Sequence, residues 1–161
     1  MNSSLQISRV LLFLLVSTSL LRAQTRQWVR VIDASREINR AKAEILLEFE
    51  VEAGYHIQSH RPEDPLLIPT ELIFQWPEGI ANSPPVFPPA EPFPLLGTET
   101  VLQVYSGLLP VRVPLQIEAG VIAGEYAVSG ILTYQACDDW KCYFPRELPF
   151  TMGIRLKADI P

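Results

Sequence analysis

The sequence predicts an all-β fold built from antiparallel sheets, and three observations carry that prediction. Apolar and polar residues alternate with a period of two in several segments, Gly and Pro punctuate the chain at short intervals, and no stretch after residue 24 sustains a capped 3.6-residue apolar period. Many short strands separated by such turns argue for a sandwich, and the length fits an immunoglobulin-like antiparallel β-sandwich best.

The chain opens on an address rather than a fold. Arg9 gives a weakly positive start, residues 10–21 form an apolar run broken only by Ser17, Thr18 and Ser19, and small Ala23 follows. This is the three-part pattern of a secretory signal peptide over residues 1–23. The run is shorter than the roughly 20 apolar residues of a spanning helix, so no stable membrane insertion is expected after cleavage. Residues 24–161 then form one domain. Losing Arg9 and Arg22 takes Lys plus Arg from 13 to 11 against 18 acids, a net charge of −7. That balance argues against nucleic acid or an anionic membrane surface as a partner.

Along the mature chain, the clearest strand is 43–52. Ile45, Leu47, Phe49 and Val51 alternate with Glu48, Glu50 and Glu52, which reads as one buried face and one solvated face rather than an acid/base pair. The second is 126–136, where Val128, Leu132, Tyr134 and Ala136 alternate with Ser129, Thr133 and Gln135. Further β-rich runs are 28–32, 55–59, 71–76, 101–105, 111–117 and 148–154. Residues 36–43 allow a helical turn or two. Residues 77–94 hold seven of the fifteen prolines and predict mainly loop or extended edge, because proline cannot donate to a ladder. The segment leads into Phe93-Pro94-Leu95-Leu96-Gly97, a stiff apolar tip able to cover something.

The chemistry concentrates at Cys137 and Cys142. Export places this pair in an oxidising compartment, where one intramolecular pairing is possible. The strand reaching Ala136 runs into Asp138-Asp139-Trp140-Lys141, and Cys142-Tyr143-Phe144-Pro145 begins the return. A hairpin end with one cysteine on each side lets the sulfurs meet. As a staple such a bond is inefficient: a six-residue closed loop gives about 2.2 kcal/mol, against about 4.7 for a hundred residues. A bond that is cheap to open suits a redox couple. Asp138 and Asp139 disfavour a thiolate at Cys137, while Lys141 favours one at Cys142. Cys142 is therefore the expected attacking sulfur, and Cys137 the resolving one.

Two other readings stay open on these residues. His56 and His60, the only histidines, could join the two thiolates around copper or zinc. Alternatively the sandwich is a non-catalytic binding module with a structural disulfide. Other enzyme chemistry lacks its motifs: Ser59 has no nucleophile elbow, and no glycine loop for phosphate is present. No cofactor is expected.

The stretch Thr133-Tyr134-Gln135-Ala136-Cys137-Asp138-Asp139, followed by Cys142-Tyr143-Phe144-Pro145, resembles the active-site segment of the amino-terminal periplasmic domain of DsbD, a bacterial thiol:disulfide interchange protein. Gly54-Tyr55-His56-Ile57 resembles the family's Gly-Tyr-rich strand, and residues 93–97 fall where the family carries an aromatic cap loop. The resemblance spans roughly residues 43–154. It implies an immunoglobulin-like fold that exchanges disulfides in the periplasm, taking electrons from a membrane donor and passing them to thioredoxin-like proteins. It also implies that Cys142 makes the mixed disulfide, with Phe93, Leu95, Tyr134, Trp140, Tyr143 and His56 as neighbours of the pair. The sequence departs from the pattern in two places. Four residues separate the cysteines where the best-known members have five, and His56 and Gln58 stand where aromatic side chains are expected.

Overall fold

A computed structural model describes residues 26–34 and 37–158 of the chain; the signal-peptide expectation lies outside them. Twelve strands make up its regular structure: β1 (Val29–Ala34), β2 (Glu37–Ile38), β3 (Glu44–Val51), β4 (His56–Gln58), β5 (Glu71–Gln75), β6 (Ile80–Asn82), β7 (Glu91–Pro94), β8 (Val101–Tyr105), β9 (Leu108–Ile117), β10 (Gly124–Tyr134), β11 (Ala136–Cys137) and β12 (Arg146–Leu156). They form three sheets, ordered β1-β3-β9-β6, β2-β12-β10-β5 and β11-β4-β8-β7. Pairing is antiparallel throughout except between β12 and β2. The fold is the all-β, immunoglobulin-like sandwich that the period-two pattern predicts.

The first two sheets enclose the main core. From β3 come Ile45, Leu47, Phe49 and Val51, and from β9 Leu109, Val111, Val113 and Leu115; Val128, Leu132, Tyr134, Ile154 and Leu156 meet them from β10 and β12. The opposite face of β3 is solvated, as its glutamates require: Glu50 pairs with Arg30 on β1, and Glu52 with Arg26 at 2.7 Å.

β9 carries Pro110 and Pro114 although it lies inside its sheet. The hydrogen bonds explain why the ladder survives. Leu115 N donates to Ala43 O, so odd residues point their amides at β3, while Arg112 N donates to Val86 O on the other side. The missing proline donors therefore fall on the side where β6 covers only residues 115–117.

Two sequence expectations change in detail. Residues 37–43 contain no helix; a tight turn at 40–41 is closed by Lys42 N to Asn39 O (3.1 Å) and by Asn39 Oδ1 accepting from Ala41 N (2.9 Å). An asparagine side chain that satisfies its own following amide competes with helix at this point. The proline-rich segment, in turn, contains β6 and β7. β7 includes Pro92 and Pro94 and lies at a sheet edge, where a missing donor faces no neighbour.

The third sheet positions the cysteines. β3 leaves its sheet through a turn at Gly54, whose φ of 81° is a left-handed value that glycine adopts without a Cβ penalty, and continues into β4. β10 likewise passes through Gln135 into β11, which pairs with β4. Both strands thus run from the core to one small end sheet.

Candidate functional site

Cys137 and Cys142 are joined by a disulfide and face each other as an antiparallel bridge, with their Cα atoms 3.9 Å apart. This is the hairpin-end geometry expected from the sequence. Cys137 is fully buried, whereas Cys142 is only partly so.

Asp138 builds the turn between them. Its carboxylate accepts from the backbone amides of Trp140 and Lys141 at 2.9 Å and from the Tyr143 hydroxyl at 2.6 Å, and Asp138 N donates to Lys141 O. The Tyr143 bond, followed by the Trp140 amide, holds the Asp138 carboxyl below its ordinary value. The same bond is the main reason that Tyr143 is pushed up to about 12. Tyr143 also packs at a tilt against Trp28, with centroids 4.7 Å apart, and lies near Tyr55. The turn is thereby anchored to an aromatic cluster at the mouth of the core.

Phe93 and Leu95 pack with Leu67 and Cys142 around the small buried cluster of Leu102, Val104 and Cys137. The 93–97 tip is fastened to the cysteine turn by Leu96 N donating to Asp139 O at 2.8 Å. Trp140 lies beside it, within 3.9 Å of where a Gly97 Cβ would sit. The tip does cover the disulfide from one side.

His56 pairs across the ladder with Cys137, and its ring lies 3.9 Å from that of Phe93. Its Nδ1 is 2.7 Å from Ser106 Oγ. Burial lowers its pKa, with Asp139 and Glu91 opposing. His60 stands in a different cluster, stacked on Phe87 with Nδ1 at Tyr105 Oη. The two histidines therefore do not converge on the sulfurs, and among the described residues no three of His, Cys, Asp and Glu are grouped to hold a metal. Tyr134 is also apart: its buried hydroxyl donates to Gln27 Oε1 at 2.6 Å and accepts from Trp28 N at 3.1 Å.

Gln58, which with His56 stands where the resemblance puts aromatic neighbours of the site, contacts both sulfurs, a contact the sequence did not predict. Fully buried, it directs Nε2 at Cys137 Sγ (3.2 Å) and Cys142 Sγ (3.6 Å). The available signal was period two: Gln58 lies two residues from His56 on β4, whereas Ile57 between them faces the main core.

A β-sandwich with a partly accessible disulfide at the end of one hairpin, beneath an apolar loop, is an arrangement suited to thiol–disulfide exchange. The family described as thiol:disulfide interchange protein DsbD, N-terminal, matches residues 27–152, and the chain belongs to it. Among solved structures, the N-terminal periplasmic domain of ScsB from Proteus mirabilis is similar at 16% identity and a TM-score of 0.51, covering 80% of this chain and 47% of that one. This chain thus spans about half of that protein's length. The reduced N-terminal domain of DsbD from Neisseria meningitidis aligns at 18% identity and a TM-score of 0.44, covering 72% and 81% of the two chains. No curated protein matches.

Proposed function

We propose that this chain is a periplasmic thiol–disulfide relay, exported through residues 1–23, that moves electrons between a membrane donor and thioredoxin-like partners. The observation that carries the reading is the asymmetry of the disulfide: Cys137 is buried within the end sheet, and Cys142 is partly open beside exposed Trp140 and Phe144. Exposed aromatic side chains next to a reactive sulfur suit a protein partner better than a small thiol.

In the reduced protein, the Cys142 thiolate attacks one sulfur of a partner's disulfide and forms a mixed disulfide. Cys137 then attacks Cys142 Sγ, restoring the internal bond and releasing the partner as a dithiol. Recharging reverses these steps with a donor dithiol. Phe93 and Leu95 shield the pair from small oxidants and reductants between encounters.

Trapping in the native host tests this. Cys137→Ser leaves Cys142 unable to be resolved, so disulfide-linked thioredoxin-like proteins accumulate on it. Capture by Cys142→Ser alone would reverse the two roles, and capture by neither variant would overturn the relay.

A further inference from the structure

Gln58 is an expensive residue to keep where it is. It is fully buried, and its Oε1 is buried without a hydrogen-bond partner among the described residues. Among the described residues its Nε2 reaches just the two sulfurs, which are weak acceptors while bonded to each other. An apolar side chain of similar size would avoid the cost of an unsatisfied buried acceptor. The backbone around it is otherwise fully engaged: Gln58 N donates to Gln135 O, and Gln58 O accepts from Thr70 Oγ1. The backbone of Gln58 is thus fixed, while its side-chain amide does little to stabilise the oxidised fold.

Its value emerges when the disulfide opens. We propose that Gln58 is a catalytic residue of the exchange reaction, whose side-chain amide receives the charge on Cys137 Sγ when that sulfur is the leaving group. The inference rests on the exchange chemistry proposed above. A partner thiolate attacks Cys142 Sγ, the more accessible sulfur. The new bond joins the partner's sulfur to Cys142, the Cys137–Cys142 bond breaks, and its electron pair goes to Cys137 Sγ. The partner's second thiol then attacks its own first sulfur and releases Cys142. Two electrons pass from the partner dithiol to the pair, and the partner's two thiol protons end on Cys137 and Cys142.

The intermediate of that sequence holds a thiolate on fully buried Cys137, in a cluster with Leu102, Val104, Leu67 and Phe93. A buried thiolate without a donor is strongly disfavoured, and a leaving sulfur departs faster when its thiolate is stabilised. The other polar groups nearby are committed elsewhere. Asp138 accepts from the turn amides and Tyr143, His56 engages Ser106, and the Lys141 ammonium lies over the Tyr143 ring at 5.2 Å. Asp139, which follows Asp138 in the turn, and Glu91 on β7 are acids and offer no donor when ionised. Gln58 Nε2, 3.2 Å from Cys137 Sγ, is the donor in position. Once Cys137 is protonated, a half-turn of the amide presents Oε1 to the new S–H. One side chain therefore serves the thiolate as donor and the thiol as acceptor, and both roles favour the reduced pair.

Gln58→Leu and Gln58→Met remove the amide and keep the bulk. Equilibrated against glutathione, each variant is expected to move about tenfold toward the disulfide relative to wild type, which corresponds to about 30 mV for a two-electron couple. With Cys142→Ser added, thiolate absorbance reads Cys137 alone, and its pKa is expected to rise by about one pH unit when Gln58 is replaced. A merely structural role would move neither quantity. If a variant fails to fold, the wild type still decides: the Gln58 side-chain amide proton resonances must shift when the pair is reduced and deprotonated. A wild-type pair that never equilibrates with glutathione overturns the exchange reading and this inference with it. A wild-type pair that equilibrates normally, beside variants indistinguishable from it or Gln58 resonances that do not respond, overturns the role of Gln58 alone.

Discussion

The Tyr143 hydroxyl donates to Asp138 Oδ2 at 2.6 Å, across the turn that carries both cysteines. Each partner shifts the other: the carboxyl is held below its ordinary range and the phenol is pushed up to about 12. Signs follow from linkage. The Asp138 contribution to the turn is present above the unfolded carboxyl value, about 3.9, and is lost as pH falls through the depressed folded value. The Tyr143 contribution is complete below the unfolded phenol value, about 10, and is lost as pH rises from there toward the folded value. Tyr143→Phe should therefore raise the Asp138 carboxyl toward its ordinary value and abolish the alkaline loss. Carbon-detected titration of Asp138 checks this, and an unmoved carboxyl would show that the hydroxyl is not what depresses it.

Phe93→Ala should expose the disulfide. The ring packs over the buried cluster that includes Cys137 and lies against His56. Removing it opens a path to the sulfurs, so reduction by dithiothreitol should accelerate by roughly fivefold through access alone. Because the ring is only partly buried, the loss of stability should be about 1–2 kcal/mol, below the range for a fully buried Phe. Stopped-flow reduction and denaturant melts measure the two effects separately. A faster reaction with no change in potential is the signature of a shield.

How much of this was legible beforehand follows the reach of each signal. Period two exposed β3 and β10, because one face of each lies in the core and the other in solvent. The cysteine hairpin was legible for the same local reason, since four residues between two strands leave few other geometries. Proline bias read residues 77–94 as loop or extended edge, and β6 and β7 do lie at sheet edges, where β7 tolerates both Pro92 and Pro94; what the bias left open was which residues pair. The resemblance marked the position of Gln58 as a departure, but not its contact with the sulfurs, because its partners are 79 and 84 residues away and are brought close by the pairing of β11 with β4. Tyr134 misled for the opposite reason. It is near Cys137 in sequence, but its side chain points into the core toward Trp28.

Reducing the pair should cost the fold little. The disulfide joins residues five apart in sequence, and chain entropy for so short a loop gives about 2 kcal/mol. The unfolding free energies of the oxidised and reduced protein, from urea midpoints multiplied by an unchanged slope, should differ by that amount. A much larger loss would mark the bond as a structural staple and weigh against a pair that opens in each cycle. A loss near the expected value is what a carrier that persists in both redox states requires.

The last prediction concerns the scaffold that aims the end sheet. Gly130 on β10 lies directly opposite Phe150 on β12, and the ring folds over it. A Cβ at Gly130 would sit 2.4 Å from Phe150 Cζ and 2.9 Å from both Cε atoms, closer than packed atoms approach. The ring meets Phe49 edge-on at 5.9 Å and Phe74 at 6.1 Å, so displacing it disturbs both contacts. Gly130→Ala should therefore destabilise by about 1–3 kcal/mol through overpacking, although alanine has no backbone penalty in a strand. Shrinking the ring should relieve the clash, so Phe150→Leu in the same chain should cost less in the Gly130→Ala background than in the wild type. That coupling, read from a double-mutant cycle of urea midpoints, identifies ring displacement as the cause. Additive losses would place the cost in the backbone instead. The redox potential of the pair should stay unchanged in all three variants, because the strain falls between the two large sheets and not at Cys137 or Gln58.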